Sequence, residues 1–293
     1  MRSLLFVPAD GGSKLDKAFA SGADAMILDL EDSIAPDRKD TARASGAAFL
    51  KRALTAATRP RLLVRVNSIA SGLIDEDLAA IVPAQPDAIL LPKTEGAASL
   101  MHADAKLAAR EAMAGLADGH VKILAQAIET AAGLFASGTL ANASTRLIGV
   151  TWGPEDLSAE IGAETNRDAQ GFLTEPYRLA RSLCLFAAAA ARVPAIETIY
   201  ADFRNLDRLR ADTEAARRDG FAGRLAIHPA QVPVINELFT PTVAALEQAR
   251  AIVAAFAADP SAGVIGIGGV MYDRPHLARA RTLLARSKDA GTG

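Results

Sequence analysis

Short apolar runs recur along the chain at intervals that suit strands separated by helices. They are Ser3–Pro8 (SLLFVP), Ala25–Glu31 (AMILDLE), Arg61–Asn67 (RLLVRVN), Ala88–Lys93 (AILLPK), Lys122–Glu129 (KILAQAIE), Leu147–Gly153 (LIGVTWG), Ala195–Tyr200 (AIETIY) and Arg224–Pro229 (RLAIHP). Most are continuously apolar rather than alternating, the pattern of parallel strands buried on both faces. Ala-rich stretches with helical spacing lie between them, clearest at 13–21, 37–55, 99–116, 177–191 and 205–219. Gly22, Gly220 and Gly223 punctuate the joins. Eight such units predict an α/β fold, a (β/α)8 TIM barrel, which typically needs about 250 residues. A doubly wound open sheet is the alternative. It needs a G-x-G-x-x-G turn after its first strand, and PADGGSK lacks that spacing.

The barrel is expected over residues 1–240, followed by a C-terminal helical extension over 241–293. The extension reads as an amphipathic helix at 241–258, a flexible Gly-rich hinge at Gly263–Gly269, the segment Met271–Pro275 (MYDRP) and a final basic helix. Lying outside the eightfold repeat, it is expected to form a lid on the barrel mouth or to reach a neighbouring subunit. The polar stretch Pro154–Pro176, which begins at the end of the sixth strand, is where a barrel builds its site.

Charge narrows the partners. The chain carries 32 Lys+Arg against 34 Asp+Glu, a net −2, which gives no electrostatic reason to bind nucleic acid or an anionic membrane. A single cysteine, Cys184, excludes an internal disulfide and any multi-cysteine metal site. No apolar run reaches the roughly 18–20 residues needed to span a bilayer. The expectation is a cytoplasmic protein.

Polar residues cluster where a barrel keeps its chemistry, at strand ends: Asp29, Glu31, Asp32, Arg65, Asn67, Lys93, Gln126, Glu129, Asp156 and His228. Glu129 and Asp156 follow adjacent strands. Two carboxylates without a nearby His or Cys favour a hard cation such as Mg2+. The competing role for Asp156 is to cap a short helix, DLSAE. Arg65, on a buried strand, needs an anion, either Glu31 or Asp32 of the protein or a substrate carboxylate held bidentately. Asp32, which opens the turn DSIAPD, reads as a helix cap. Lys14 and Lys17 read as solvated helix lysines or as phosphate contacts, and His228 as structural or catalytic.

These motifs resemble one family. RSLLFVPA, GADAMILDLEDSIAPDRKDTAR, VRVNS, LLPKTEG, AQAIETAAGLF, GVTWGPEDLSAEIGA, AIHPAQV and MYDRPHLARA run in order from residue 2 to about 281 and are similar to the citrate lyase beta-subunit-like proteins of the HpcH/HpaI aldolase superfamily. The resemblance implies a Mg2+-dependent barrel, usually a homotrimer, acting on acyl-CoA and 2-oxo acid small molecules. It implies Glu129 and Asp156 as metal ligands and Arg65 as the carboxylate clamp. Lys17, Ile227 and His228 are implied contacts to the CoA-bearing substrate, and Asp273 a proton-transfer residue that enters a neighbour's site. The chain departs from the pattern at Ala9 and DGGSK in the first loop, and at Arg224 before the eighth-strand motif. The expected reaction is carbon–carbon cleavage of a 3-hydroxyacyl-CoA such as malyl-CoA, citramalyl-CoA or citryl-CoA. A malyl-CoA-type thioesterase on the same site, a non-catalytic CoA-binding barrel and an aldolase on free hydroxy acids are the alternatives.

Overall fold

The computed structural model describes residues 1–289. Eight parallel strands form the sheet: β1 Ser3–Pro8, β2 Ala25–Asp29, β3 Arg61–Arg65, β4 Ala88–Leu91, β5 Lys122–Ile128, β6 Leu147–Trp152, β7 Ile196–Glu197 and β8 Gly223–Ala226. Their order, β6-β5-β4-β3-β2-β1-β8-β7, leaves one seam. A parallel bridge between Val150 and Ala195 closes it, with the Val150 N–H donating to Pro194 O at 3.0 Å. This is the (β/α)8 barrel that the apolar runs predict.

Continuous apolarity has its reason in two separate cores. Leu4, Ala25, Ile27, Leu63, Ala88, Leu90, Leu124, Ile196 and Leu225 fill the barrel interior. Met26, Leu28, Leu62, Val64, Ile89 and Ile123 face outward into the larger core beneath the helices. Successive residues therefore meet one core and then the other, and the strand interiors are mostly apolar, with Thr151 and Arg224 as buried polar exceptions.

The predicted helices appear as α1 Ser13–Phe19, α2 Lys39–Ala53, α4 Gly96–Met113, α7 Glu175–Ala190 and α8 Leu206–Asp219. Four shorter ones escape the periodicity argument: α3 Ile74–Ile81, α5 Ala131–Ala136, α6 Pro154–Ile161 and α9 Gln231–Phe239. Each spans only two or three turns, too few for a helical repeat to show against loop composition.

The extension comprises α10 Val243–Ala258, β9 Val264–Ile267, β10 Val270–Asp273 and α11 Arg274–Asp289. Residues 290–293 of the expected extension lie outside the described residues. The Gly-rich run is not a hinge but an antiparallel hairpin, with Ile267 opposite Val270. Gly268 and Gly269 turn it at φ 58° and 79°, both in the left-handed region that a tight two-residue hairpin requires. The helix pair and hairpin share a small core of their own: Ala249, Ile252, Phe256, Tyr272, Leu277 and Ala280.

This unit leaves from the foot of the barrel. A cavity of about 240 Å³ is walled by Arg2, Asp24, Pro194 and Ala222 near the strand starts and by Ala245, Leu283 and Arg286 of the helix pair. The hairpin lies at the other end of that pair, about 15 Å along α11 from Leu283 at 1.5 Å per residue. No described residue of the extension lines the chain's own mouth cavity. Among the described residues, no helix is long and apolar enough to cross a membrane.

Candidate active site

Strand parity decides which polar residues meet. Ala25 and Ile27 of β2, Leu63 of β3 and Leu124 of β5 belong to the interior core. Asp29, Arg65 and Gln126 stand two residues further along the same strands and so point the same way. They make a polar top layer on an apolar barrel. All three line a cavity of about 360 Å³ at the mouth, with Phe6, Trp152, Asp156 and Ile227 also in its wall.

Arg65 is clamped. Its Nε and Nη2 each lie 2.6 Å from an oxygen of Asp29, the residue directly opposite in the β2–β3 register. Its Nη1 lies 3.1 Å from Glu31 and 3.3 Å from Asp32. The sequence reading named Glu31 or Asp32 as the protein partner. The principal partner is Asp29, because register and parity bring those two side chains together. Burial opposes the Arg65 charge, but the Asp29 contacts outweigh it and hold the guanidinium fully protonated. The same pairing brings Asp29 below the usual carboxylate range despite its burial. Asp29 also accepts the N–H groups of Glu31 and Ser33, so it, rather than Asp32, organises the turn after β2.

Glu129 lies one residue past β5, where the β5–β6 register slips between Gln126 and Ile128. Such an irregularity re-aims the side chains that follow it. Glu129 is 1% exposed and accepts hydrogen bonds from the Lys93 N–H and the Gln126 side-chain amide. Burial pushes it up to about 8, with Asp156 and Glu31 adding to the rise and the Lys93 N–H opposing it.

The approach is tight because residue 153 has no side chain. A Cβ there would lie 2.9 Å from Gln126 Nε2 and 3.0 Å from Glu129 Oε2. Gly153, rather than Asp156, is the N-cap of α6, and Asp156 sits in the first turn, where a negative charge is favourable.

Lys93 links the carboxylates. Its Nζ lies 2.8 Å from Glu31 Oε1 and 3.2 Å from Asp156 Oδ1, while its own N–H holds Glu129. Burial disfavours this ammonium, but Glu31 and the surrounding acids outweigh it and raise it above an ordinary lysine. Its backbone is left-handed, at φ 46°. That conformation costs a residue with a Cβ about 1–2 kcal/mol and persists only where contacts impose it.

The mouth thus gathers five carboxyl groups, Asp29, Glu31, Asp32, Glu129 and Asp156, against Arg65 and Lys93. Lys39 is a third cation nearby, its Nζ on the carbonyls of Leu30 and Glu31 and on Asn67 Oδ1. Glu155 lines the cavity as a sixth carboxyl group, so with all groups ionised the mouth carries a net negative charge, which favours a cation. Among the described residues, no three His, Cys, Asp or Glu side chains converge to cage a metal. What the site offers is a pair of hard oxygen donors, one of them a carboxyl that burial pushes up to about 8. That donor set fits an ion that keeps water and substrate in its remaining positions.

The other sequence candidates scatter. Ile227 lines the cavity and is 36% exposed. His228, just beyond, is exposed and stacked on Phe203 at 4.7 Å between ring centroids. Its Nδ1 accepts the Ala230 N–H. Lys17 is exposed in the last turn of α1 and is not in the cavity wall. Asp273 ends β10 and is hydrogen-bonded to His276 Nδ1, outside its own chain's cavity. Trp152 and Cys184 pack as expected, but Trp152 also donates its indole N–H to buried Glu197 at 2.6 Å. Asp29, Gln126 and Lys93 were visible in sequence only as polar strand ends. A lysine closing a buried strand after a proline was the available signal for the last.

The molecule is therefore a TIM barrel whose mouth holds two carboxyl groups, Glu129 and Asp156, joined through Lys93, beside an anchored arginine. The chain belongs to the HpcH/HpaI aldolase/citrate lyase family, whose model matches residues 2–229. Citrate lyase subunit beta of Haemophilus influenzae is 34% identical over 98% of this chain and 97% of its own length. A (3S)-malyl-CoA thioesterase of Cereibacter sphaeroides is 35% identical over 98% and 94%. Protein CitE from Mycobacterium tuberculosis, solved with magnesium, acetoacetate and coenzyme A, superposes with a TM-score of 0.74 at 31% identity, covering 98% of both chains.

Proposed function

We propose that this chain is a Mg2+-dependent carbon–carbon lyase. It cleaves or forms a 3-hydroxyacyl-CoA of the malyl-, citramalyl- or citryl-CoA type, giving an acyl-CoA and a 2-oxo acid. The observation that carries this reading is that Asp156 and Arg65 line one cavity while Glu129, buried beside its wall, shares Lys93 with Asp156. The relatives and the magnesium- and CoA-bound neighbour support it.

Glu129 and Asp156 would hold the Mg2+, which supplies Lewis acidity toward the hydroxyl and carboxylate oxygens of the substrate. Arg65 binds the carboxylate of the oxo-acid half. Asp29 holds its orientation through two donors, and Asp32, more than half exposed and 3.3 Å away, yields Nη1 to the substrate. The positive charge there also offsets the negative charge that develops as the bond breaks. Phe6, Trp152 and Ile227 in the cavity wall limit water around the acyl carbon. Lys17, Ile227 and His228 are the CoA contacts in this reading. Asp273 serves a neighbouring subunit, moving the proton to or from the acyl carbon. Its place on a hairpin outside the wall of its own chain's cavity supports that role, and with it a homo-oligomer, a trimer by family resemblance, working in the cytoplasm.

The thioesterase relatives favour one second reading, hydrolysis of the thioester at the same site. Incubation with Mg2+ and (S)-malyl-CoA, citramalyl-CoA or citryl-CoA separates the two. Oxo acid without free thiol is the expected result, abolished by EDTA. Thiol without oxo acid identifies a thioesterase, and neither product removes both readings.

A further inference from the structure

Lys93 has no part in the scheme above, yet it touches both carboxylates of the cation site. Its peptide N–H holds Glu129 and its ammonium holds Asp156. Among the described residues, Lys93 is the only basic group in an ion pair with Asp156. The ammonium has a second and shorter partner, Glu31 at 2.8 Å, which stands on β2's end and is 6% exposed. One left-handed residue after β4 thus ties together groups from the ends of β2 and β5 and from α6.

We propose that Lys93 is a built-in stand-in cation: it keeps Glu129 and Asp156 in register while the divalent site is unfilled, then gives up Asp156 to the metal and keeps Glu31. The inference rests on the metal-site reading above and deepens it. Three features argue for a replaceable contact. The Asp156 contact is the longer of the two, so it is the one more easily broken. The Asp156 side chain is 30% exposed, so a cation can reach it from the cavity it lines. Glu31 remains to neutralise the ammonium, so the exchange strands no buried charge. The Glu129 arm uses the backbone, so it survives both the exchange and any change of side chain. Lys93 is on this account a positioning residue, and the bond to Asp156 opposes metal binding while it orders the site.

The test measures Mg2+ binding by calorimetry on the substrate-free protein, with thermal melts in parallel. Lys93→Gln removes the competing charge. It should bind Mg2+ roughly tenfold more tightly than wild type, since an adjacent unit charge acts strongly on a divalent ion in a partly buried site. Its melting temperature should fall without Mg2+ and recover with it, a larger Mg2+-induced rise than wild type shows. Lys93→Arg should bind Mg2+ more weakly than wild type, because a planar guanidinium holds a carboxylate bidentately. It also keeps the inference testable if the glutamine variant does not fold without metal. An order of affinity Gln, Lys, Arg supports the stand-in role. Equal affinities, or tightest binding by wild type, overturn it while leaving the metal site intact. A wild-type protein that binds no Mg2+ at millimolar concentration overturns the metal site itself.

Discussion

Gly153→Ala tests how closely the cation site is built. Gly153 has φ −131° and ψ 103°, extended values that alanine adopts without strain. Any effect of the substitution must therefore come from space. The new Cβ would sit 2.9 Å from Gln126 Nε2, 3.0 Å from Glu129 Oε2 and 3.1 Å from Glu129 Cβ. The Gln126 amide is the tip of a flexible side chain and can retreat. The Glu129 Cβ is fixed to the backbone, so the carboxylate must shift by several tenths of an ångström. Overpacking of this kind costs about 1–3 kcal/mol, which lowers the melting temperature by roughly 2–6 °C in a protein of this size. If half of that strain falls on the metal-binding geometry, Mg2+ affinity drops by roughly two- to twelvefold, at 1.4 kcal/mol per decade. Gly138→Ala is the control, since nothing lies within 4 Å of its added Cβ. The measurement is Mg2+ calorimetry with thermal denaturation on both variants. If Gly153→Ala matches Gly138→Ala in both readouts, Gly153 is not what sets the Glu129–Gln126 contact, and the account of the site's assembly is wrong.

Arg65→Lys keeps the charge but loses the two-point hold on Asp29 and the planar face for substrate. Its kcat/KM should fall at least about a hundredfold, by ~3 kcal/mol or more of lost recognition, and a variant near wild type would make Arg65 structural. Asp273→Asn should retain substrate binding and lose turnover. Mixing it with Glu129→Ala under subunit exchange should restore activity, because an intact Glu129 in one chain then meets an intact Asp273 in another. Exchange without recovery would place Asp273 outside the reaction. Glu111 and Arg146 are almost wholly buried and doubly bonded, at 2.7 and 2.8 Å. Glu111→Met should destabilise by about 1–3 kcal/mol, since it removes two buried charge-assisted hydrogen bonds while Asp104 and Asp118 still neutralise the guanidinium. Burial opposes ionisation of Glu111, but Arg146 outweighs it and lowers the carboxyl below its ordinary range. Its contribution is therefore full above that range and lost as pH falls through the lowered value. A stability difference between wild type and Glu111→Met that stays constant down to strongly acidic pH would contradict this.

The sequence by itself determined the barrel. Eight apolar runs needed burial on both faces, which a closed parallel sheet inside a ring of helices provides, and the missing G-x-G-x-x-G turn told against the open doubly wound sheet. It also determined which strands end in polar groups, and so marked Glu129, Asp156 and Arg65, because a strand lying between two apolar cores is polar mainly at its ends. The tertiary structure decided how those groups pair. Register, which no single strand carries, set Arg65 opposite Asp29 rather than against Glu31 or Asp32. The slip between β5 and β6 turned Glu129 toward the Gln126 amide, and a left-handed Lys93 joined groups from three elements. The Gly-rich tail reads as loose in composition, yet Val264–Ile267 has a partner strand in Val270–Asp273. Asp273 ends that hairpin and is not in the wall of its own chain's mouth cavity. Local pattern specifies what each segment buries, but the meeting of distant side chains depends on closure of the whole sheet.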